Sequence, residues 1–167
     1  MTRTNPKLLP FIALAFAALT GLAVQNSAVR EASAAMTDNG IVTTRSAYPF
    51  DETITRIKAD IAQKGIKFFL EVDQQKLAAD AGIKLTGRST LLIFGNPALG
   101  SHFITSNRQA GIDWPVRLLV TEAESGGVFV VNNDFDWIAR RHSITNRPDQ
   151  FAMATKVITS IVGSVAK

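Results

Sequence analysis

The sequence predicts an α+β fold, in which helices pack on one mainly antiparallel sheet in the order β-α-β-α-β-α-β-β-α-α. Residues 91–97 (LLIFGNP) place a short apolar strand directly before a helix start. Two apolar segments, residues 116–122 and 128–132, flank a Glu-Ser-Gly-Gly turn and predict a hairpin. A closing hairpin after alternating strands and helices favours α+β. A doubly wound α/β sheet is the alternative, because the first half of the chain alternates strand and helix.

The first elements follow from residue type and spacing. Residues 35–39 are expected to form a flexible lead-in, and the β-branched run over residues 40–46 predicts a strand. Isoleucines at helical spacing predict a helix from about Asp51 to Gly65, with acidic residues in its first turn and a glycine at its end. Residues 66–72 alternate in polarity, which predicts a strand with one apolar face. That face comprises Ile66, Phe68, Leu70 and Val72.

The middle of the chain combines a short helix with the most apolar strand. Asp73 is a frequent N-cap residue, so a short helix is predicted from there to Gly82. The continuous apolar run over residues 91–94 predicts a central strand that is covered on both faces. Gly95 then permits a tight turn.

Asn96 and Pro97 predict the start of the next helix, since asparagine is a strong N-cap and proline suits the first helical position. A strand that turns directly into a helix presents backbone N–H groups and the positive end of the helix dipole, which suits an anion. Helix capping alone explains the same two residues without a ligand.

The last part of the chain is predicted to end in two helices. Residues 108–115 read as irregular, and Trp114 is expected to be extended because it precedes a proline. Asn133 or Asp134 can cap a short helix after the hairpin. A final helix with one buried stripe is predicted to begin at Pro148.

Residues 1–34 resemble a secretory signal peptide, with two basic residues followed by an apolar run over residues 8–24. Small residues favour cleavage after Ala34, and cleavage after Ala23 is an alternative. We therefore expect a periplasmic or secreted product whose residues 35–167 form a single domain. A third possibility is an uncleaved leader that anchors the protein to the inner membrane, and only then is a membrane a partner.

Composition excludes several kinds of chemistry. The chain has no cysteine, which excludes disulfides, thiol catalysis and thiolate metal sites. Arg3, Lys7, Arg30 and Glu31 fall in the leader, which leaves 15 basic and 13 acidic residues and a net charge of about +2 in the mature part. The basic residues are scattered, so no nucleic-acid partner is predicted.

Three blocks together resemble the family known as domain of unknown function 302. They are LLIFGNPALGSHFI over residues 91–104, GIDWPVRLLVTEAESGGVFVVNND over residues 111–134, and WIARRH over residues 137–142. Ser101 and His102 depart from the pattern, since threonine and proline are common there in the family. The resemblance implies a fold likened to the TATA-binding-protein-like group and small oligomers, often dimers. It implies no reaction.

The candidate ligand-binding residues are those at helix starts and turns, together with the aromatic and imidazole side chains near them. They are Gly95, Asn96, Pro97, His102, Trp114, Asn133, Asp134 and His142. Neither histidine has a second ligand at a spacing typical of metal sites, so no metal and no cofactor are predicted. No catalytic residue is assigned, and capping explains Asp134.

Three functions remain open from the sequence. The first is a non-enzymatic domain that binds a small ligand or a protein partner at residues 95–97 and the turn at 133–134. The second is a structural homodimer that uses the sheet and Trp114, since aromatic residues are enriched at interfaces. The third is an enzyme with His142, Asp134 and Arg141 as acid-base and anion-holding groups.

Overall fold

The computed structural model describes residues 35–36 and 39–166. Its centre is one six-stranded sheet in the order β1-β2-β6-β5-β4-β3, and every neighbouring pair is antiparallel. The strands are β1 (Ala35–Met36), β2 (Ile41–Arg45), β3 (Lys67–Asp73), β4 (Ser89–Gly95), β5 (Val116–Glu122) and β6 (Val128–Asn133). The α+β prediction is confirmed, and the doubly wound alternative is wrong because no pair of strands in the described part is parallel. The predicted leader lies outside the described residues.

Five α-helices and one 3-10 helix accompany the sheet. They are α1 (Phe50–Gln63), α2 (Gln74–Asp80), α3 (Pro97–Ser106), the 3-10 helix (Arg108–Asp113), α4 (Phe135–Arg141) and α5 (Pro148–Gly163). Helix α1 buries Ile54, Ile57 and Ile61, which recur at helical spacing as the sequence predicted. None of the helices in the described part is both long and apolar enough to cross a membrane.

The core lies between one face of the sheet and the long helices. Leu92 and Phe94 of β4 are buried there, and their partners Leu118 and Val116 continue the same face on β5. Helices α1 and α5 cover this face with their own buried side chains. The result is a two-layer arrangement of helices on a sheet.

The opposite face of the sheet is only partly covered, which differs from the prediction for residues 91–94. Leu91 and Ile93 alternate with the buried residues of β4, and they are half-buried rather than part of the core. Leu119 and Val131 continue the same face on the next two strands, and they too lie outside the core cluster. An antiparallel sheet with one covered face explains this alternation.

A β-bulge overturns the predicted alternation of β3. The pairing with β4 shifts between Phe68 and Leu70, so that Phe68 pairs with Phe94 whereas Leu70 pairs with Ile93. Phe68 therefore packs against the core, and Leu70 lies on the opposite face with 53% of its surface exposed. The bulge inserts one residue, Phe69, which moves all later side chains to the other face.

Two further expectations were wrong. The predicted flexible lead-in contains β1, whose residues Ala35 and Met36 pair with Thr43 and Val42 of β2. The segment predicted as irregular before Trp114 forms the 3-10 helix. A strand of two residues and a 3-10 helix of six residues are too short to show a period in their apolar positions, so the sequence offered no signal for either feature.

Candidate functional site

Asn96 caps helix α3, as predicted. Its side-chain oxygen accepts hydrogen bonds from the backbone N–H groups of Ala98 at 3.0 Å and Leu99 at 3.3 Å. Pro97 occupies the first helical position, where its missing N–H costs no hydrogen bond. The N–H groups that a bound anion would use are therefore already occupied in part by the cap.

The Trp114 indole packs against the two glycines of the FGNPALG block, Gly95 and Gly100. A Cβ added to Gly100 would overlap the indole nitrogen, and one added to Gly95 would lie 3.2 Å from it. Phe69, the residue that the bulge inserts, meets the indole from another side, with ring centroids 6.1 Å apart in an edge-to-face arrangement. Trp114 itself is extended, as its position before Pro115 predicted. The close approach of the indole therefore requires glycine at position 100 and leaves little room for a larger residue at position 95.

Trp114 forms one wall of an apolar cleft of about 380 Å³. Helix α5 supplies another wall through Ala154, Val157 and Ile158. The inner surface is aromatic and aliphatic, and the charged side chains that line the cleft are Lys64 and Lys156. Its other lining residues include Phe94, Gly95, Asn96, Leu99, Gly100, Phe103, Val116 and Phe135.

Asp113, adjacent to Trp114, is the centre of a polar cluster in which Asp113 and His142 are buried and two arginines are partly exposed. Its carboxylate lies 2.6 Å from His142 Nε2, and the two side chains are 2% and 6% exposed. Arg141 donates to both carboxylate oxygens at 3.2 Å, and Arg117 donates to Oδ1 at 3.1 Å. Asn107 adds a hydrogen bond from its side chain to the carbonyl of His142 at 2.9 Å. The cluster joins the 3-10 helix, β5 and the end of α4.

Asn133 and Asp134 do not share the cleft with Asn96. They line a separate cavity of about 230 Å³ beside β2 and α5, and Phe135 lies in the walls of both. Asp134 caps helix α4 by accepting a hydrogen bond from Asp136 N at 2.9 Å. The sequence predicted that residues 95–97 and the turn at 133–134 form one site. In the structure they lie at two neighbouring cavities.

The two histidines have different environments. His102 is exposed on α3 and is absent from the lining of the cleft, whereas His142 is buried against Asp113. Among the described residues, no three or more potential ligands are grouped to hold a metal ion. Asp134 and His142 cap opposite ends of the seven-residue helix α4, roughly 12 Å apart along its axis. The combination of His142, Asp134 and Arg141 is therefore not assembled, since Asp113 takes the place of Asp134.

Sequence reasoning missed Asp113, Gly100 and Arg117 as members of a site. Asp113 lies in a segment without periodicity, and only its place in the second family block signalled it. Gly100 occurs inside a helix, where a glycine costs about 1 kcal/mol relative to alanine. A glycine at this unfavourable position was a signal that a close contact excludes a larger side chain there.

The fold and the cleft define a small two-layer α+β domain with an apolar cleft beside Trp114 and a buried Asp113–His142 pair. The chain belongs to the family described as Domain of unknown function DUF302, whose sequence model matches residues 42–163. A solved structure of a DUF302 protein from Bacillus stearothermophilus has the same fold, with a TM-score of 0.69 and 15% identity over 75% of this chain and 98% of that one. The predicted family is confirmed.

Curated relatives come from the genus Brucella. Proteins named fluoride-specific ion channel FluC 1 from Brucella suis and Brucella abortus are each 37% identical over 134 residues, which is 80% of this chain. The matched segment is 51% of the first protein and 48% of the second. This chain therefore spans about half the length of the curated relatives that it matches.

Proposed function

We propose that this protein is a non-enzymatic domain that binds a small, mainly apolar ligand in the Trp114 cleft. The observation that carries the proposal is the cleft itself, whose volume of about 380 Å³ lies in the range of small-molecule sites. Such sites combine apolar walls with few polar groups. Here Trp114 and Phe94 provide apolar surface, and Asn96 lies among the few polar lining residues.

The position of the cleft in the family pattern supports the same proposal. Gly95, Asn96 and Gly100 belong to the first family block, Trp114 belongs to the second, and all four line the cleft. Two glycines and an indole that fit together would be sufficient for packing alone. The contact between the glycines and the indole does not by itself require the open cleft beside them, which is large enough for a small molecule.

The test uses the neutral apolar fluorophore N-phenyl-1-naphthylamine, whose emission rises in an apolar site. We expect saturable binding with one site per chain. Val157→Phe replaces a small aliphatic side chain in the cleft wall by a phenyl ring and should weaken binding at least tenfold. Thr159→Phe is the matched control, since Thr159 lies on the same helix, is exposed and lines the other cavity. Equal binding by both variants, with both folded by circular dichroism, would disprove the proposal.

A second candidate function is homodimerisation through the partly covered face of the sheet. Leu70, Leu91, Ile93, Leu119 and Val131 place apolar side chains on this face outside the core. Two copies that stack these faces would remove the apolar surface from water, as in sheet-on-sheet packing. Light scattering after size exclusion tests it. A dimer that Leu119→Lys converts to a monomer supports this function, and a wild-type monomer at all concentrations rejects it.

A membrane channel is a candidate protein partner, because segments similar to this chain make up about half of Brucella proteins named fluoride-specific ion channels. Co-purification of this protein with a fluoride channel from the same host, in detergent, tests the interaction. A matched comparison uses an unrelated membrane protein as bait. Recovery with both baits, or with neither, would reject a specific partnership.

A further inference from the structure

We propose that the ligand of the Trp114 cleft is an anionic amphiphile, a single-chain carboxylic acid whose tail lies in the cleft and whose head group is held by Lys156. The inference rests on the proposed function and adds the chemical class of the ligand. Its basis is the distribution of charge around an otherwise apolar cavity.

The interior of the cleft suits a hydrocarbon tail. Phe94 and Phe103 line it with buried side chains, and Val116 and Trp114 line it with partly buried ones. Each methylene group that such a surface removes from water adds to the binding affinity. Affinity for the tail therefore comes from the apolar surface area that binding buries, and it requires no hydrogen bond inside the cleft.

The charged residues around the cleft all have one sign. Lys64 and Lys156 line it, and no aspartate or glutamate in the described part of the chain does. Lys64 is engaged by Asp60, with its Nζ 2.6 Å from each carboxylate oxygen. Lys156 is exposed on α5 and makes no ion pair with any residue that the structure describes. Lys156 is therefore the cation available to a ligand.

Ser160 completes the polar side of the cleft. It follows Lys156 by four residues on α5, so the two side chains lie on the same face of the helix. Both line the cleft, and Ser160 is exposed. An ammonium and a hydroxyl one turn apart can both donate to a carboxylate, whereas an alkylammonium head would meet a like charge.

The test compares three ligands with the same tail, namely decanoate, decanol and decylammonium, as competitors of N-phenyl-1-naphthylamine at neutral pH and below their micelle concentrations. We expect decanoate to displace the fluorophore at the lowest concentration and decylammonium at the highest. Lys156→Gln should weaken decanoate about three- to fivefold, the size of one exposed ion pair, and leave decanol unchanged. Added salt should bring the concentrations of decanoate and decanol that displace the fluorophore closer together.

Lys84→Gln is the matched control, because it changes the net charge equally at an exposed position away from the cleft lining. Equal displacement by decanoate and decanol, or equal effects of Lys156→Gln and Lys84→Gln, would overturn the anionic ligand and leave the apolar site intact. Absence of fluorophore binding to the wild-type protein would overturn the site and the ligand class together.

Discussion

His142 Nε2 lies 2.6 Å from Asp113 Oδ2, across 29 residues of chain, in a place where both side chains are almost completely buried. The pair joins the end of α4 to the segment that carries Trp114. Buried ionisable groups are costly unless their partners are complete, and Arg141 and Arg117 supply the remaining donors. The second and third family blocks therefore meet at Asp113, as the first and second meet at Trp114.

Asp113→Ala should destabilise the fold by about 3 kcal/mol, because it removes the hydrogen-bond partner of the buried His142 side chain. Asp136→Ala, at an exposed position in the first turn of α4, should change stability by less than about 0.5 kcal/mol. Urea denaturation measures both. A double-mutant cycle of Asp113→Asn with His142→Gln should give a coupling of about 1–3 kcal/mol. Additive effects would contradict a direct interaction.

Gly100→Ala should destabilise the protein by about 1–3 kcal/mol, because the new methyl group overlaps the Trp114 indole. Thermal unfolding is a suitable measurement. Gly163→Ala is the matched control, since nothing lies within 4 Å of a Cβ at that position of α5. We expect the control to be neutral or to stabilise by a few tenths of a kcal/mol up to about 1. Equal changes in stability for the two variants would mean that the indole does not pack against Gly100.

Asn96→Ala should cost about 1 kcal/mol through the loss of the α3 cap, and Asn96→Asp should retain most of the stability. The same variants separate capping from binding, because the side-chain oxygen of Asn96 is used by the cap. Binding of N-phenyl-1-naphthylamine should persist in both. A loss of binding in a folded Asn96→Asp variant would instead make Asn96 a ligand contact.

Acid should remove the contribution of the Asp51–Arg88 ion pair. The hydrogen bond from Arg88 lowers the pKa of Asp51 in the folded protein, with Nη1 2.8 Å from Oδ2. Because the pKa of Asp51 is lower in the folded protein than in the unfolded chain, the ion pair stabilises the fold at pH values above the unfolded pKa of about 4. This stabilisation is lost as the pH falls through the folded pKa. The difference in urea midpoint between the wild-type protein and Asp51→Asn should therefore shrink below about pH 4. A difference that grows on acidification would contradict the pair.

Much of the fold was predictable because local signals agreed with it. Asp73, Asn96 and Asp134 each cap the helix that the sequence assigned to them. The hairpin of β5 and β6 followed from its turn residues. The register of β3 was not predictable, since a bulge at Phe69 leaves the polarity pattern of the strand unchanged while reversing its later faces.

The candidate site was predictable only in part. Gly95, Asn96 and Trp114 line one cleft, whereas Asn133 and Asp134 line another. The spacing of residues in the sequence does not determine which loops lie next to each other in the fold, because their positions depend on the order of the strands in the sheet. Asp113 was missed for the same reason, since its partner His142 is distant in the chain and close only in the folded protein.

The indole NMR signals of the two tryptophans report on binding in the cleft, because the chain contains only Trp114 and Trp137. Trp114 lines the cleft, whereas Trp137 packs beside Gly40 and is absent from the cleft lining. In ¹⁵N–¹H NMR spectra, titration with decanoate should shift the indole resonance of Trp114 saturably and leave that of Trp137 unchanged. A Trp114 resonance that stays in place while the ligand binds, or a shift of Trp137 alone, would contradict binding in this cleft.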